Sequence, residues 1–391
     1  MSEQKTTVFD CIIIGAGPAG LNAGLHLIHS GKRGPILLVD KMIPWEHPIP
    51  CAEGVGRLGF EEAIEVKSSW IRQKINRACF HAPGGGTICY TDKNGGYIID
   101  RARMQSDIAS ELSNAGVECR YNCKVKQILP FENGLRKVLF QNNSSAFAKV
   151  VIDASGPVCG FGKGEKIHWK PGDLEPAYFA VVENIHIEPD MIHIFAGKEL
   201  APGGYAWAFP RGENCANVGI VLGRKTEGRF NIRTLLDSFI EKFYPQVTVV
   251  RRFAGSIPCA CKHGPIALPG LIKTGDAAST INPISRAGIS EALLSGGLAG
   301  DHAIEMLDEK KNSSINRICK KYETEWNRIR GKRHLKLSKV KNSLLNVPDE
   351  DYNRGVELLS DISAENLTMS RIFKASLGRF PRLIWAMRHL M

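Results

Sequence analysis

The stretch of sequence that decides the fold is VFDCIIIGAGPAG, residues 8–20. Its first seven residues form a nearly continuous apolar run, which is typical of a strand buried on both faces of a sheet. Pro18 then begins a helical pattern, since proline is favoured at the first position of a helix. A second apolar run follows at residues 36–39. The segment therefore predicts a β-α-β unit with a short crossover, as in a Rossmann-like α/β fold.

The glycines of the turn have the G-x-G-x-x-G spacing of a dinucleotide-binding motif. Glycine there permits a tight turn and the close approach of a pyrophosphate, while the helix N-terminus supplies amide donors. An acid at the end of the second strand accepts a hydrogen bond from a ribose hydroxyl and disfavours a 2′-phosphate, so FAD or NAD fits better than NADP. The predicted cofactor-binding residues in this unit are Gly15, Gly17, Ala19, Gly20 and Asp40.

A second match to the glycine spacing, at residues 54–59, follows the segment HPIPCAE. That segment is not a buried strand, so the local context of a dinucleotide site is missing. We therefore expect one resident dinucleotide, with any nicotinamide donor binding transiently.

The charge of the chain is concentrated at its C-terminal end. The 391 residues carry a formal net charge of +11, and residues 310–391 hold 18 Lys and Arg against 8 Asp and Glu. A basic surface attracts nucleic acid or an anionic membrane, and no zinc-finger, RRM or KH pattern favours nucleic acid. The apolar runs are shorter than the roughly 18 residues of a membrane-spanning helix, and residues 1–10 do not form a signal peptide. We expect a cytoplasmic protein that contacts a membrane peripherally and does not bind nucleic acid.

The eleven cysteines show no zinc-finger or zinc-ribbon spacing. In a cytosolic chain most cysteines are reduced and fill the core. We therefore expect no metal site.

A second cofactor motif distinguishes FAD from NAD. Gly275 and Asp276 follow a short apolar strand, and Gly288 and Ile289 begin a helix. This pattern resembles the second FAD motif of p-hydroxybenzoate hydroxylase-type flavoproteins, in which the Asp binds the ribityl chain and the helix start faces the flavin pyrimidine. A helix N-terminus stabilises the negative charge that builds on a reduced flavin. Arg101, which begins the intervening helix, completes the pattern.

The order of the motifs predicts four segments. Residues 1–174 are the first part of an FAD-binding domain, and residues 175–257 are an inserted, antiparallel β-sheet substrate domain. Residues 258–309 return to the FAD-binding domain, and residues 310–391 form a basic helical C-terminal region.

The segment PGGYAWAFP, residues 202–210, carries the resemblance to a family. Together with PCAEG at residues 50–54, it resembles the geranylgeranyl reductase family of flavoenzymes, whose substrate domain contains P-x-x-Y-x-W-x-F-P. The resemblance extends from about residue 7 to residue 305. On a strand, Tyr205, Trp207 and Phe209 project to one face, which would suit a polyprenyl chain, and the alanines project to the other.

The resemblance implies further site residues. Cys51, Ala52 and Gly54 would line the flavin, with Arg101 and Val125 also at the cofactor. Cys51, Tyr205 and Trp207 are the candidate catalytic residues, and Tyr205, Trp207 and Phe209 are the candidate substrate-binding residues. Arg286, in a loop where small residues are common, would crowd or charge the edge of the isoalloxazine.

The predicted reaction is hydride delivery from N5 of reduced FAD to an isolated C=C bond of a geranylgeranyl or other polyprenyl chain, with a proton added to the other carbon. NADPH or ferredoxin would be the transient electron donor. A flavin monooxygenase or halogenase of the same fold and a non-catalytic, lipid-binding flavoprotein remain as alternatives. The sequence IDASGP at residues 152–157 departs from the Asp-Gly sequence of the hydroxylases.

Overall fold

The structure is a computed structural model that describes residues 8–31, 34–158, 160–162, 164–167, 174–224, 228–259, 264–309, 311–344 and 347–359. The strands are β1 (Val8–Ile14), β2 (Ile36–Val39), β3 (Gly54–Gly56), β4 (Ile71–His81), β5 (Thr87–Ile99), β6 (Glu118–Arg120), β7 (Val125–Ile128), β8 (Arg136–Phe140), β9 (Ser145–Asp153), β10 (Leu174–Glu183), β11 (Met191–Phe195), β12 (Tyr205–Pro210), β13 (Cys215–Val221), β14 (Thr248–Pro258), β15 (Ala267–Leu268) and β16 (Leu271–Lys273). The helices are α1 (Pro18–His29), α2 (Arg57–Ala63), α3 (Arg101–Asn114), α4 (Ile232–Phe243), α5 (Ile289–Asp308), α6 (Asn312–Trp326), α7 (Lys332–Leu344) and α8 (Asp349–Glu357).

The first sheet has the strand order β15-β16-β9-β1-β2-β6, with β8 paired to β9 and β7 paired to β8. β1 is parallel to β2 and to β9, and α1 connects β1 to β2 as the sequence predicted. This sheet confirms the Rossmann-like α/β fold.

Two helices pack against each other beside this sheet because glycine lets their backbones approach closely. A Cβ at Gly296 of α5 would overlap the carbonyl oxygen of Ala19 in α1, and a Cβ at Gly300 would lie 2.7 Å from the carbonyl oxygen of Ala23. The α1–α5 contact therefore brings the second cofactor motif, which precedes α5, close to the first one.

The second sheet has the strand order β14-β10-β13-β12-β11-β4-β5-β3. Its strand pairs are antiparallel except for β11 and β4, which are parallel. Three of its strands come from residues 54–99, which the sequence division assigned to the first part of the FAD-binding domain. They join the second sheet because β4 pairs with β11, a contact between segments more than 100 residues apart. The four-segment division of the chain remains a proposal.

The C-terminal region contains α6, α7 and α8, and residues 360–391 of the predicted basic region lie outside the described residues. Of the five Lys and Arg residues of α7, Lys332, Arg333, Lys336 and Lys339 are exposed. Lys341 differs, because it is 4% exposed and its Nζ lies 3.0 Å from Glu175 Oε1 of β10. Within the described ranges, no helix combines the length and apolar character needed to cross a bilayer.

Candidate functional site

The glycine-rich turn after β1 forms an open helix N-terminus. Gly15 has a φ of 107°, and a Cβ there would overlap the carbonyl oxygen of Ala154. A Cβ at Gly20 would overlap the carbonyl oxygen of Gly15, whereas a Cβ at Gly17 would have no atom within 4 Å. Two glycines thus permit the tight turn, and the third leaves space in front of α1. The turn fits the pyrophosphate of a dinucleotide.

Asp40, directly after β2, is anchored to this turn. Its Oδ2 accepts a hydrogen bond from Ala16 N at 2.8 Å, and its Oδ1 accepts one from Met42 N at 3.1 Å. Each carboxylate oxygen has a second lone pair that can accept from a ribose hydroxyl. The carboxylate therefore lies where the sequence predicted a ribose contact.

Arg101, at the start of α3, is connected to the same turn through a residue that the sequence analysis missed. Arg101 Nε donates to Gln105 Oε1 at 2.8 Å, and Gln105 Nε2 donates to Ala16 O at 3.2 Å. Gln105 is 1% exposed. A single glutamine inside a helix is not a recognisable motif. Its spacing of four residues from Arg101, which places both side chains on one face of α3, is the one indication that the sequence offers.

The side chain of Val125 is directed into the core of the first sheet. It is in β7 and 7% exposed, and its side chain packs into an apolar cluster with residues of β1 and β9. A contact with a cofactor would therefore be made by its main chain, near Cys123 N, which donates to Asp40 O at 2.8 Å.

The second cofactor motif contacts the first. Gly275 has a φ of 60°, and a Cβ there would lie 2.8 Å from Ala19 Cβ. Gly288 immediately precedes α5, and a Cβ at this position would lie 3.8 Å from Asp276 Oδ1. Ile289 is 7% exposed and fills the start of α5. The structure thus brings Asp276 to the N-terminus of α5, as the sequence predicted.

Burial and charge act in opposite directions on Asp276. Burial raises the pKa of its carboxyl to about 6, while the positive charge of Arg101 lowers it. Arg101 and Asp276 therefore interact electrostatically, although their motifs are 175 residues apart in the sequence.

The aromatic segment forms β12, and its side chains alternate as predicted. Tyr205, Trp207 and Phe209 belong to one cluster, whereas Ala206 and Ala208 belong to the core under α4. The ring centroids of Tyr205 and Trp207 are 6.1 Å apart, and those of Trp207 and Phe209 are 6.3 Å apart. Tyr205 and Phe209 are half-buried, and Trp207 is 5% exposed.

Two neighbouring strands extend this aromatic surface. Phe179 of β10 and Phe253 of β14 stack with their centroids 4.9 Å apart, and Phe179 lies 6.1 Å from Trp207. The sequence analysis did not select either phenylalanine, because isolated aromatics on separate strands give no local pattern.

The aromatic surface contacts the loops of the FAD-binding domain. Trp207 Nε1 donates to Asn217 Oδ1 at 2.9 Å, and Asn217 Nδ2 donates to the carbonyl oxygen of Cys51 at 3.0 Å. A Cβ at Gly54 would lie 3.1 Å from Phe209 Cε2. The segment that contains Cys51, Ala52 and Gly54 therefore packs on the aromatic surface, and its contact with the flavin stays a prediction.

A third segment reaches the same surface. The hydroxyl of Tyr205 donates to the carbonyl oxygen of Ser285 at 2.7 Å, in the loop before α5. Burial raises the pKa of Tyr205, which keeps its hydroxyl protonated at neutral pH. Hydrogen bonds thus connect the rings of β12 to both loops that the sequence predicted to line the flavin, directly from Tyr205 and through Asn217 from Trp207.

The loop at Cys51 is held by a buried acid that the sequence analysis missed. Glu53 has a φ of 64° and is 6% exposed. Its N–H donates to Cys51 Sγ at 3.3 Å, and its Oε2 accepts from Arg211 Nε at 2.6 Å. The ion pair fixes the backbone conformation that places Cys51 beside Asn217.

Arg286 does not carry an uncompensated charge. Its Nε donates to Glu175 Oε2 at 2.6 Å, and its guanidinium carbon lies 4.9 Å from the ring centroid of Tyr205. Glu175, which is 1% exposed, also binds Lys341. The crowding or charging of the isoalloxazine edge by Arg286 stays a prediction, and the structure adds that its head group is paired with Glu175 and lies over the ring of Tyr205.

Comparisons with known proteins agree with this geometry. A family model for the geranylgeranyl reductase catalytic domain matches residues 173–257, and a lycopene cyclase model matches residues 10–167. A digeranylgeranylglycerophospholipid reductase of Methanococcoides burtonii is 30% identical over 97% of this chain and 95% of its own length. The corresponding enzyme of Methanosarcina acetivorans is 29% identical over 98% of this chain and 96% of its own length.

Solved structures show the same fold. A geranylgeranyl bacteriochlorophyll reductase-like protein from Thermoplasma acidophilum has a TM-score of 0.87 and 26% identity, covering 98% of this chain and all of that one. A myxobacterial chondrochloren halogenase has a TM-score of 0.65 and 17% identity, covering 98% of this chain and 97% of its own. The halogenase shares the fold alone. With a relative that is 30% identical over nearly its whole length, the chain belongs to the geranylgeranyl reductase family of FAD-dependent oxidoreductases.

Proposed function

We propose that this protein saturates C=C bonds in the geranylgeranyl chains of a digeranylgeranylglycerophospholipid, the compound for which its curated relatives are named. The observation that carries the proposal is the contact of one aromatic surface with both predicted flavin loops. Asn217 joins Trp207 to the Cys51 loop, and Tyr205 is bonded to the Ser285 loop.

The chain offers a consistent set of contacts for FAD. The N-terminus of α1 would bind the pyrophosphate, Asp40 a ribose hydroxyl, and Asp276 the ribityl chain. The N-terminus of α5 would stabilise negative charge at the pyrimidine edge. When bound and reduced, FAD supplies the hydride for the reaction.

The aromatic surface would bind and orient the prenyl chain. Its rings present apolar area without demanding hydrogen bonds, and each buried CH₂ group contributes about 0.8 kcal/mol. An isolated alkene develops positive charge at its more substituted carbon when a proton adds to the less substituted carbon, and a hydride that adds to the cationic carbon would neutralise this charge. The ring faces of Tyr205 and Trp207 would stabilise that charge by about 0.5–2 kcal/mol, and exclusion of water would protect it.

We propose that Cys51 delivers the proton. The O–H of Tyr205 is directed at the Ser285 carbonyl oxygen. Cys51 Sγ accepts from Glu53 N, a contact that uses a sulfur lone pair and not its S–H. The thiol is half-buried and packs against the core of the first sheet, while the carbonyl oxygen of Cys51 accepts from Asn217 beside Trp207. Its S–H would therefore be the donor to the substrate.

The test is a turnover assay under anaerobic conditions. The purified protein with FAD, reduced chemically, is incubated with digeranylgeranylglycerophospholipid, and mass spectrometry follows gains of two hydrogens per bond. Saturation in the wild type and its loss in Cys51→Ser with FAD retained would support the proposal. Oxygen-dependent hydroxylation or halogenation would support the monooxygenase alternative. Flavin binding without turnover would support a non-catalytic lipid-binding protein.

The electron donor and the membrane contact belong to the same proposal. An external donor, NADPH or reduced ferredoxin, would reduce the flavin transiently, and comparing both donors in the anaerobic assay distinguishes them. The exposed basic residues of α7 would attract anionic lipid by about 1 kcal/mol each. We expect salt-sensitive co-sedimentation with vesicles that contain anionic lipid, weakened when Lys332, Arg333 and Lys336 are changed to glutamine.

A further inference from the structure

Four side chains of metal-binding types, two cysteines and two histidines, meet on the face of the second sheet that lies away from the aromatic surface. Cys79 and His81 are in β4, Cys89 is in β5, and His193 is in β11. Cys79 is paired with Cys89 on one side and with His193 on the other. One ligand atom from each of Cys79, His81 and His193 lies within 4.8 Å of the other two.

Packing identifies the face on which this cluster lies. His81 stacks on Phe195 with ring centroids 4.0 Å apart, and Phe195 contacts Phe239 of α4. The adjacent residue of β11, Ile194, points instead to the cluster that contains Trp207. The cysteine–histidine cluster is therefore separated from the candidate active site by the thickness of the sheet.

The two imidazoles are arranged as a pair of ligands. His81 Nε2 and His193 Nδ1 are 3.0 Å apart. Two nitrogens bound tetrahedrally to one zinc ion at 2.0–2.1 Å are about 3.3 Å apart, so a small shift suffices. A histidine binds a metal through the unprotonated nitrogen of its neutral ring.

An outer carboxylate completes the arrangement. His193 Nε2 lies 3.4 Å from Glu188 Oε2. With a cation between the two ring nitrogens, His81 would carry its proton on Nδ1, and His193 would carry its proton on Nε2, facing Glu188. A carboxylate that orients a metal-bound histidine in this way is a common feature of zinc sites.

The structure shows Cys79 and Cys89 joined by a disulfide. We propose that these two cysteines, with His81 and His193, form a redox-controlled zinc site. A dithiol reductant donates two electrons and two protons, becomes a disulfide itself, and converts the Cys79–Cys89 bond into two thiols. Zn²⁺ then displaces the thiol protons and is bound by two thiolates and two imidazoles, a set that suits this ion. The cation would connect β5, β4 and β11 across the parallel pair of the sheet. This departs from the sequence expectation of no metal site.

The test uses the full chain with FAD and cobalt as a spectroscopic probe. One sample is reduced with a phosphine that is then removed, and the other keeps its disulfide. Both are titrated anaerobically with Co²⁺. We expect the reduced protein to bind about one equivalent, with the visible bands of tetrahedral thiolate-bound cobalt at wavelengths beyond the flavin absorption. Zn²⁺ should remove these bands, and the oxidised sample should not show them.

Variants assign the site. Cys79→Ser and His193→Asn should abolish the cobalt bands, and Glu188→Gln should weaken cobalt binding about tenfold. Cys215→Ser, which removes a half-buried thiol elsewhere in the sheet, should leave the bands unchanged. Absence of the bands from reduced wild-type protein would overturn the proposal, and this comparison needs no variant to fold. Equal bands in Cys79→Ser and wild type would also overturn it, provided that FAD absorbance shows the variant is folded. Neither result would affect the proposed reductase function, because that function does not use this face.

Discussion

At the scale of single residues, the glycines of the turn after β1 have two different roles. The fold requires two of them, and the proposed ligand requires the third. Gly15 and Gly20 lie against backbone atoms, so a side chain at either position would distort the turn. Gly17 faces space with no atom within 4 Å of a Cβ. The fold therefore tolerates a side chain at Gly17, whereas a pyrophosphate in front of α1 would not.

Gly17→Ala tests this distinction. We expect FAD affinity to fall about tenfold or more, which corresponds to about 1.4 kcal/mol, because the methyl group occupies the approach to the helix N-terminus. The melting temperature of the apoprotein should change little. Gly355→Ala in α8, where a Cβ also has no neighbour within 4 Å, is the matched control. Flavin titration and thermal unfolding measure the two quantities, and unchanged FAD affinity in Gly17→Ala would contradict the assignment.

Asp276 makes a pH-dependent contribution to the apoprotein. Its folded pKa of about 6 is above the ordinary carboxyl pKa of 3.8, so between these values the folded state holds a proton that the unfolded state has lost. Stability from this group is fully present below about pH 4 and is lost as the pH rises through 6. The loss has an upper limit of about 3 kcal/mol and is reduced by solvent, since Asp276 is partly exposed.

Asp276→Asn should therefore be more stable than wild-type apoprotein at pH 7 and similar at pH 4, although it should bind FAD more weakly. Urea unfolding of both apoproteins at several pH values measures the difference. Asp237→Asn, an exposed surface acid in α4, should not show this pattern. Equal differences at pH 4 and pH 7 would show that Asp276 ionises normally.

At the scale of elements, β12 is positioned by a glycine on its neighbour. Gly219 of β13 is paired with Trp207 of β12 and with Phe179 of β10. A Cβ at Gly219 would overlap both side chains. The indole therefore lies flat over β13 in space that a glycine leaves open, and this placement aligns it with Tyr205 and Phe209.

Gly219→Ala should displace the indole of Trp207. We expect a loss of about 1–3 kcal/mol in the free energy of unfolding, because overpacking forces side chains from their preferred conformations. Prenyl reduction should fall more than FAD binding. Gly255→Ala in β14 is the matched control, since its Cβ would make an ordinary contact of 3.8 Å with Pro50. Equal unfolding free energies and equal turnover in the two variants would argue against this role for Gly219.

At the scale of the whole molecule, one buried ion cluster joins three separate regions. Glu175 lies in β10 of the second sheet, Arg286 in the loop before α5, and Lys341 in α7. Each of the three is at most 6% exposed by its side chain. Removing the Glu175 carboxylate would take from both buried cations an anion that they share.

Glu175→Gln should consequently cost about 3–5 kcal/mol of unfolding free energy, as breaking a buried ion pair does. It should also release Arg286 from its place over Tyr205 and lower turnover. Glu183→Gln, at the exposed end of the same strand, should change stability by less than about 0.5 kcal/mol. Chemical unfolding and the anaerobic assay test both statements, and a loss below 1 kcal/mol in Glu175→Gln would show that the cluster is not structurally important.

Features of the fold and of the candidate site could be predicted from the sequence where they depend on residues close together in the chain, and not where they depend on contacts between distant segments. The β-α-β unit, the acids Asp40 and Asp276, and the alternation along β12 follow from local spacing, and the structure shows them as expected. The pairing of β4 with β11 could not be predicted, because no local pattern identifies a partner more than 100 residues away. Glu53 and Asn217 were missed for the same reason: each is an ordinary polar residue until the fold surrounds it.

The aromatic strand is the fourth of eight in its sheet and is hydrogen-bonded along both edges, to β11 and β13. The aromatic surface on such a strand is held rigidly and cannot change its shape to fit a ligand. In the proposed binding mode, the lipid would supply the conformational adjustment, and the entropy lost on association would fall mainly on its rotatable bonds. Selection among tails of different length then depends on how many isoprene units fit along a fixed template.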